Sequence, residues 1–467
     1  MECKRVRVVM LMSLTDHFDR FRWVSCQLEV LKNCRPENIQ QVLYKLPASL
    51  DETFERILRG IKVYNQNDAY RLLQCLCVAA RPLHVGELAE ILALDFDESY
   101  GATPRLNEDW RWDDPQQAVL TMCSGLVMLV DNGHSCDVQF SHFSVKQFLT
   151  SSRPVNPLRD ISWFHIPRED AHTTLTRACF ATLLRLDGSL SNDQVEHRFP
   201  LVRYASQHWV EHAQFGKVSL RIGDGMQRLF DPTEPYFSSW LRLYNIDDHW
   251  NQSGNAWVAR GSPLYYASLC GFLDLAEYII KGHPEQVNAT GGRRHNPLAA
   301  ALHKGHFNVA ELLHLHDASL NATDYNNQTL LQVAAVDGRS EVAQWLLERG
   351  AVPNSQRGDH GAPIHLATAY GHPEVIRALL KPEYGVDIDS ADKGGRTPLH
   401  LASSTGKAEI VRLLLDHDAN PNAVDKDGCT PLSLTWKTEV ERLLLDYGAS
   451  PGEEGRSSEG GIEEGEV

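Results

Sequence analysis

The chain has 467 residues, 42% hydrophobic and 23% charged, which leaves room for two to four domains of ordinary soluble composition. A formal net charge of −16 argues against a general nucleic-acid binder, and no apolar run approaches the roughly 18–20 residues of a membrane span. The ten cysteines are scattered singly with no Cys-x-x-Cys, which reads as neither a zinc ribbon nor a disulfide framework but as reduced thiols in the cytoplasm.

At the start, Lys4-Arg5-Val6-Arg7 and residues 8–14 imitate a signal peptide, but Asp16, Asp19 and Arg20 stand where a cleavage site should be. A short amphipathic helix is expected over 21–31. Ser49-Leu50-Asp51-Glu52 has capping-box form and opens a helix carrying Phe54, Ile57, Leu58 and Ile61. Further helices are expected over 69–80, stopped by Arg81-Pro82, and over 85–94. Residues 95–115 carry seven Asp or Glu against two Arg and read as an acidic surface loop. After a helix over 116–124 the apolar period changes from 3.6 to 2. Residues 126–131 and 136–142 read as a hairpin turning at Asn132-Gly133. Ser144-Val145-Lys146-Gln147 forms a second capping box for a helix ending near Ser151. This order of helices, hairpin and helix is the layout of a winged helix. The helix before the wing, 116–123, has no Lys or Arg, so the phosphate contacts of a DNA reader are missing. Residues 160–248 continue at helical spacing, with Trp163, Trp209 and Trp240 as packing anchors, a break at 232–235, and a junction over 251–261.

A repeat then dominates. Pro263, Pro297, Leu330, Pro363, Pro398 and Pro431 share one slot at spacings of 34, 33, 33, 35 and 33 residues, and a glycine follows eight residues after each of the first five. The best-formed unit, 396–415, reads as two antiparallel helices: Thr397 caps the first, Pro398 opens it, and Gly406 ends it. Leu330 in place of proline should weaken the third start slightly. In the sixth unit Pro431 lies 12 residues before Leu443, against 15 from Pro398 to Leu413, which reads as a cap shortened in its inter-helix turn. Residues 452–467 carry six Glu and one Arg among Gly and Ser, an acidic disordered tail.

Two resemblances follow from these residues. From about 261 to 450 the chain resembles the ankyrin-repeat family: Thr397-Pro398-Leu399-His400 is that family's motif, and Ala362-Pro363-Ile364-His365 is a near copy. The resemblance implies that His365 and His400 link backbone groups of neighbouring repeats. Residues 46–58, Arg81-Pro82-Leu83 with Glu87-Leu88-Ala89, 141–149, 179–184 and 199–205 resemble the region after the nucleotide-binding domain of fungal NACHT–ankyrin proteins. These are NOD-like, STAND-type signal-transduction ATPases in which nucleotide exchange opens a closed receptor into an oligomer. The expected fold is mainly α, a winged-helix and helical region followed by a repeat solenoid. Its parts are a remnant helical segment over 1–45 following an absent NACHT domain, a winged-helix-like domain over 46–155, a helical linker over 156–260, six repeats over 261–450 and the tail over 451–467.

Candidate chemistry is sparse. No Gly-x-x-x-x-Gly-Lys-Ser/Thr occurs; Ser404-Thr405-Gly406-Lys407 lacks the first glycine and lies between repeat helices. His142 alternates onto one strand face with Val138 and Phe140, and the receptor resemblance makes it a vestigial nucleotide-sensing position. His208-Trp209-Val210-Glu211-His212 fits the inverted zincin pattern, but no third-ligand motif accompanies it. Sequons start at Asn251, Asn288, Asn321 and Asn327, mostly in repeat turns that want Asn for its geometry. The reading is therefore a non-enzymatic scaffold with no metal or cofactor, no nucleic-acid or membrane partner, and a protein partner held by turn tips and first helices. Tip residues are Arg293, Arg294, Asp324, Tyr325, Asn326, Arg357, Asp359, Asp392, Lys393, Asp425 and Lys426; Cys270, Lys304, Asp337, Tyr370 and Thr405 end first helices. Tyr325 and Tyr370 are the expected anchors. The alternative is the C-terminal part of a NACHT receptor of innate-immunity or incompatibility type, which would oligomerise only with a nucleotide-binding domain.

Overall fold

Apolar residues at helical spacing build α1 (Leu50–Arg59), α2 (Gln66–Val78) and α3 (Val85–Glu90), burying Phe54, Leu58, Leu72, Leu73 and Leu88. The computed structural model of the chain describes residues 50–97, 103–123, 125–133, 135–151, 164–247, 261–358 and 361–450. The expectations for 1–45, Ser49, Trp163, residues 251–260, Asp359 and the tail lie outside the described residues. These residues divide into two units, one before and one after residues 254–255, and each stands by itself below.

In the first unit, β1 (Leu83–His84) precedes α3, and a tight pair, β2 (Leu94–Asp95) and β3 (Arg105–Leu106), leads to α4 (Pro115–Cys123). The hairpin is β4 (Val127–Asp131) and β5 (Cys136–Phe140), paired from Val127↔Phe140 to Asp131↔Cys136. A third strand joins it: Leu83 pairs with Val138 and His84 with Asp137, giving the order β1-β5-β4. That strand has two residues, too few to show a period in sequence. Arg81 meets the buried Glu87 through both its terminal nitrogens, at 2.8 and 2.6 Å, while Glu87 also accepts the His84 N–H and caps α3. The acidic loop is likewise pinned rather than simply exposed: Arg111 donates to buried Glu90 at 2.8 and 2.5 Å.

α5 (Phe143–Thr150) begins earlier than the Ser144 capping box implied, because His142 is its N-cap and accepts the Ser144 N–H through Nδ1. The helical region follows as α6 (Arg168–Leu183), α7 (Asn192–Arg198), α8 (Val202–Ala213), α9 (Val218–Arg221), α10 (Gly223–Leu229) and α11 (Tyr236–Leu243). α6 packs on both α2 and α8, so the winged helix and the helical region share a core. Trp209 and Trp240 are fully buried with ring centroids 5.3 Å apart, and Phe180 and Phe230 close the cluster. The break at 232–235 falls between α10 and α11.

The second unit is a stack of helix pairs. They are α12 (Pro263–Cys270) with α13 (Leu273–Gly282), α14 (Pro297–Lys304) with α15 (Phe307–Leu315), and α16 (Leu330–Asp337) with α17 (Ser340–Glu348). Then come α18 (Pro363–Tyr370) with α19 (Pro373–Leu379), and α20 (Pro398–Thr405) with α21 (Ala408–Asp416). Ser262, Asn296 and Thr329 cap first helices by accepting the N–H three residues on, and each first helix ends at a glycine with φ between +68° and +85°. The sixth repeat departs from expectation. Its loss falls on the first helix, which shrinks to a turn at 431–434, leaving α22 (Thr438–Asp446) to pack on α21.

Turn asparagines bind repeat to repeat. Asn288 donates through Nδ2 to the Asp317 carbonyl and accepts the Ser319 N–H, and Asn354 and Asn422 repeat the arrangement. Of the sequon asparagines, Asn288 thus commits the nitrogen a glycan would use, and Asn327 adopts φ 57° in its turn.

Candidate functional site

The motif histidines are joints. The Thr397 N–H donates to His400 Nδ1 at 3.1 Å, so the ring proton sits on Nε2, which donates to the Cys429 carbonyl of the next repeat at 3.1 Å. His365 Nε2 reaches the Arg396 carbonyl at 3.2 Å, while its buried Nδ1 has no hydrogen-bond partner. In the third repeat Gln332 does this work: its oxygen accepts the Thr329 N–H, and its nitrogen donates to the Arg357 and Gly361 carbonyls.

A second set of joints was not foreseen. The side chains directly after Gly305, Gly338, Gly371 and Gly406, and Lys437 just before α22, reach back to the end of the preceding first helix. Arg339 donates to the Leu302 and His303 carbonyls, His372 to Val336, Lys407 to Thr368 and Ala369, and Lys437 to Gly406. His306 bonds the Leu269 backbone likewise. Each satisfies carbonyls a helix end leaves open, with a cation or a ring N–H where the macrodipole favours one. The period was visible, since His306, Arg339, His372 and Lys407 all follow the glycine directly; the partners, one repeat upstream, were not.

The predicted contact residues divide in two. Asp324, Asp392 and Asp425 turn their carboxylates inward to accept N–H groups of their own tips, and Asp392 also holds Arg396 at 2.9 Å. These bonds spend part of each carboxylate on shaping its own turn. Arg357, Asn326, Lys393, Lys426 and Asp337 are exposed, although Lys426 spends its ammonium on the Lys393 carbonyl. Tyr325 is 53% exposed, with its hydroxyl on the Gly292 carbonyl and its ring edge-on to His295. Tyr370 is 58% exposed at the end of α18. Sequence reasoning missed Trp436, 71% exposed, whose Nε1 donates to the Ser404 carbonyl at 3.1 Å while Lys437 lies over its ring. It comes out at the turn that replaces the last first helix, and its only signal was a tryptophan where the repeat pattern fails.

The other candidates take structural places. His142 caps α5 and lies half-buried against Phe143. His208 and His212 do not converge: His208 sits 3.7 Å from Glu211, whereas His212 is buried between Tyr204 and His172. The Ala80 N–H donates to Tyr204 Oη, which lies 2.7 Å from His212 Nε2, and His212 Nδ1 lies 2.9 Å from His172 Nδ1. One ring of the His–His bond donates and the other accepts, so the two cannot both be charged. Burial, with Arg168 and Lys146 adding repulsion, lowers His172 to about 4, and burial with His172 lowers His212 to about 3.

Residues 264–357 and 361–454 match the family described as Ankyrin repeats (3 copies), and residues 54–156 the GPI inositol-deacylase, winged helix domain. The chain is 31% identical over 340 residues to the Azaphilone pigments biosynthesis cluster protein L of Monascus ruber, covering 67% of this chain and 70% of that one. It is 30% identical over 166 residues to the Ankyrin repeat protein nuc-2 of Neurospora crassa, covering 35% of this chain and 15% of that protein. Among solved structures, the ankyrin repeat domain of Bcl-3 is 27% identical, covers 41% of this chain and 88% of its own, and superposes with a TM-score of 0.38.

Proposed function

Because the chain belongs to the same family as the Monascus ruber cluster protein L, we propose that it is a non-enzymatic interaction protein that holds a protein partner on its ankyrin repeats. The observation that carries this reading is the exposure of Tyr370 and Trp436, two rigid aromatics on the stack. Tyr325 is the third anchor. The cysteines among the described residues are free thiols, in keeping with a reducing, cytoplasmic setting. Partner capture by the full chain tests the reading. Tyr370→Ala and Trp436→Ala should each weaken retention of the captured partner by about tenfold at unchanged melting temperature. An unchanged partner set in the Tyr325→Ala/Tyr370→Ala/Trp436→Ala protein removes this face.

A second reading is supported by the winged-helix match over 54–156 and by His142 just beyond its last wing strand: the repeats act as the sensing end of a NACHT-type receptor. Oligomerisation would belong to that receptor. A transcript with an in-frame upstream P-loop would decide for it; transcripts that all start at Met1 would decide against it.

A further inference from the structure

Neighbouring full repeats elsewhere in the stack bring first helix against first helix and second against second, as in α12 with α14 or α16 with α18. α14 and α16, and α15 and α17, approach each other less closely. A pocket of about 70 Å³ opens there, too small for a folded element and large enough for one side-chain head. Arg293, Arg294 and Arg339 line it. So does His303, whose Nε2 accepts a hydrogen bond from Arg294 at 2.8 Å; a guanidinium only donates, so the ring proton lies on Nδ1 and the imidazole stays neutral. Burial together with Arg294, Arg339, Lys304 and Arg293 lowers His303 to about 4, a sign of how strongly positive this place is.

Asn296 adds an unfilled donor. Its Oδ1 caps α14 by accepting the Ala299 N–H at 2.8 Å, which fixes the amide's orientation. The residue is 6% exposed, and its Nδ2 has no hydrogen-bond partner. Of the two acids on the lining, Asp324 accepts the Asn326 and Gln328 N–H groups of its turn, and Asp337 stands 3.9 Å from Arg339 at an exposed helix end, so neither answers Asn296 Nδ2. A buried donor without an acceptor thus sits on a wall that also carries three guanidinium groups. We propose that this pocket binds the carboxylate of a Glu or Asp side chain on an extended segment of the partner protein. The assignment rests on the interaction reading above and sharpens it: on a chain of net charge −16, this junction gathers positive charge that suits an acidic side chain.

The test is a bead-bound library of ten-residue peptides in which one central position is fixed in turn as Glu, Asp, Gln, Lys or phosphoserine, captured by the full chain. Glu and Asp pools should be retained at least about threefold over the Gln pool. Two variants should bring them to parity: Asn296→Asp, which keeps a capping oxygen while placing negative charge on the wall, and Arg293→Gln/Arg294→Gln. Thermal melts show that each variant is folded. Equal capture of Glu and Gln pools, a preference that survives both variants, or a phosphoserine pool retained above Glu overturns the assignment. Capture that ignores the central residue yet is lost in Tyr370→Ala/Trp436→Ala removes this pocket and leaves the interaction reading standing. No capture of any pool counts against both.

Discussion

Two turn glycines with one backbone shape permit a controlled perturbation. Gly305 and Gly338 have φ of 75° and 70°, so an alanine at either one meets the same left-handed strain, roughly 1–2 kcal/mol. Their surroundings differ. A Cβ on Gly305 meets nothing within 4 Å, whereas a Cβ on Gly338 falls 2.6 Å from His372 Nδ1 and 2.7 Å from its Cε1. The imidazole must move, giving up its 3.0 Å bond to the Val336 carbonyl, a further loss of about 0.5–1.5 kcal/mol for the bond and something more for the displaced ring. Gly338→Ala should therefore destabilise its junction about 1–2 kcal/mol more than Gly305→Ala destabilises its own. Because a chain of two units has no single unfolding free energy, the measurement is hydrogen exchange over 330–337 and 363–370 for one variant, and over 297–304 and 330–337 for the other. In a His372→Ala background the excess should vanish, completing a double-mutant cycle. Equal opening energies for the two glycine variants, within about 0.5 kcal/mol, would show that the close approach of the next repeat plays no part.

The His172–His212 pair makes the first unit acid-sensitive. Both folded values, about 4 and about 3, lie below the ordinary histidine value of 6.5, so the unfolded chain takes up protons first and stability falls as pH drops through 6.5 toward 4. From pH 7 to 5 the loss is about 2 kcal/mol per ring and at most about 4 for the pair, read from Trp209 and Trp240 fluorescence melts; an unchanged slope in His172→Gln/His212→Gln refutes it. His400→Gln should cost less than about 1 kcal/mol, since Gln332 already fills that role, while His400→Leu should cost about 2–3 by stranding the Thr397 N–H and the Cys429 carbonyl. The shift in urea midpoint of the repeat transition compares the two, and equal midpoints would sink the joint.

The repeat frame was legible because a proline at N1 and a left-handed glycine at the helix end are local demands that recur at a fixed period. The wing hairpin was legible for a similar reason, through Asn132-Gly133 and a period of 2. What stayed hidden depends on partners distant in sequence. Leu83 and His84 become a strand only because Val138 and Asp137 are there to pair with them. His142 caps α5 because the strand end delivers its ring to the Ser144 N–H. In the sixth repeat the count from Pro431 to Leu443 showed that residues were missing but not that the first helix had lost them. Of the proposed contact residues, Tyr325 and Tyr370 are exposed aromatics, while the inward turn of Asp392 and the emergence of Trp436 follow from backbone geometry that spacing does not report.

The reach-back of Arg339, His372, Lys407 and Lys437 gives the stack a direction. Each of these side chains finishes a helix that belongs to the repeat before its own, so damage should travel upstream. Loss of the Lys407 ammonium would fray α18, thirty-eight residues toward the N-terminus, while α20 beside it keeps its own closure from Lys437. A repeat copied or inserted into this array thus depends less on what it carries than on whether its successor begins with a donor.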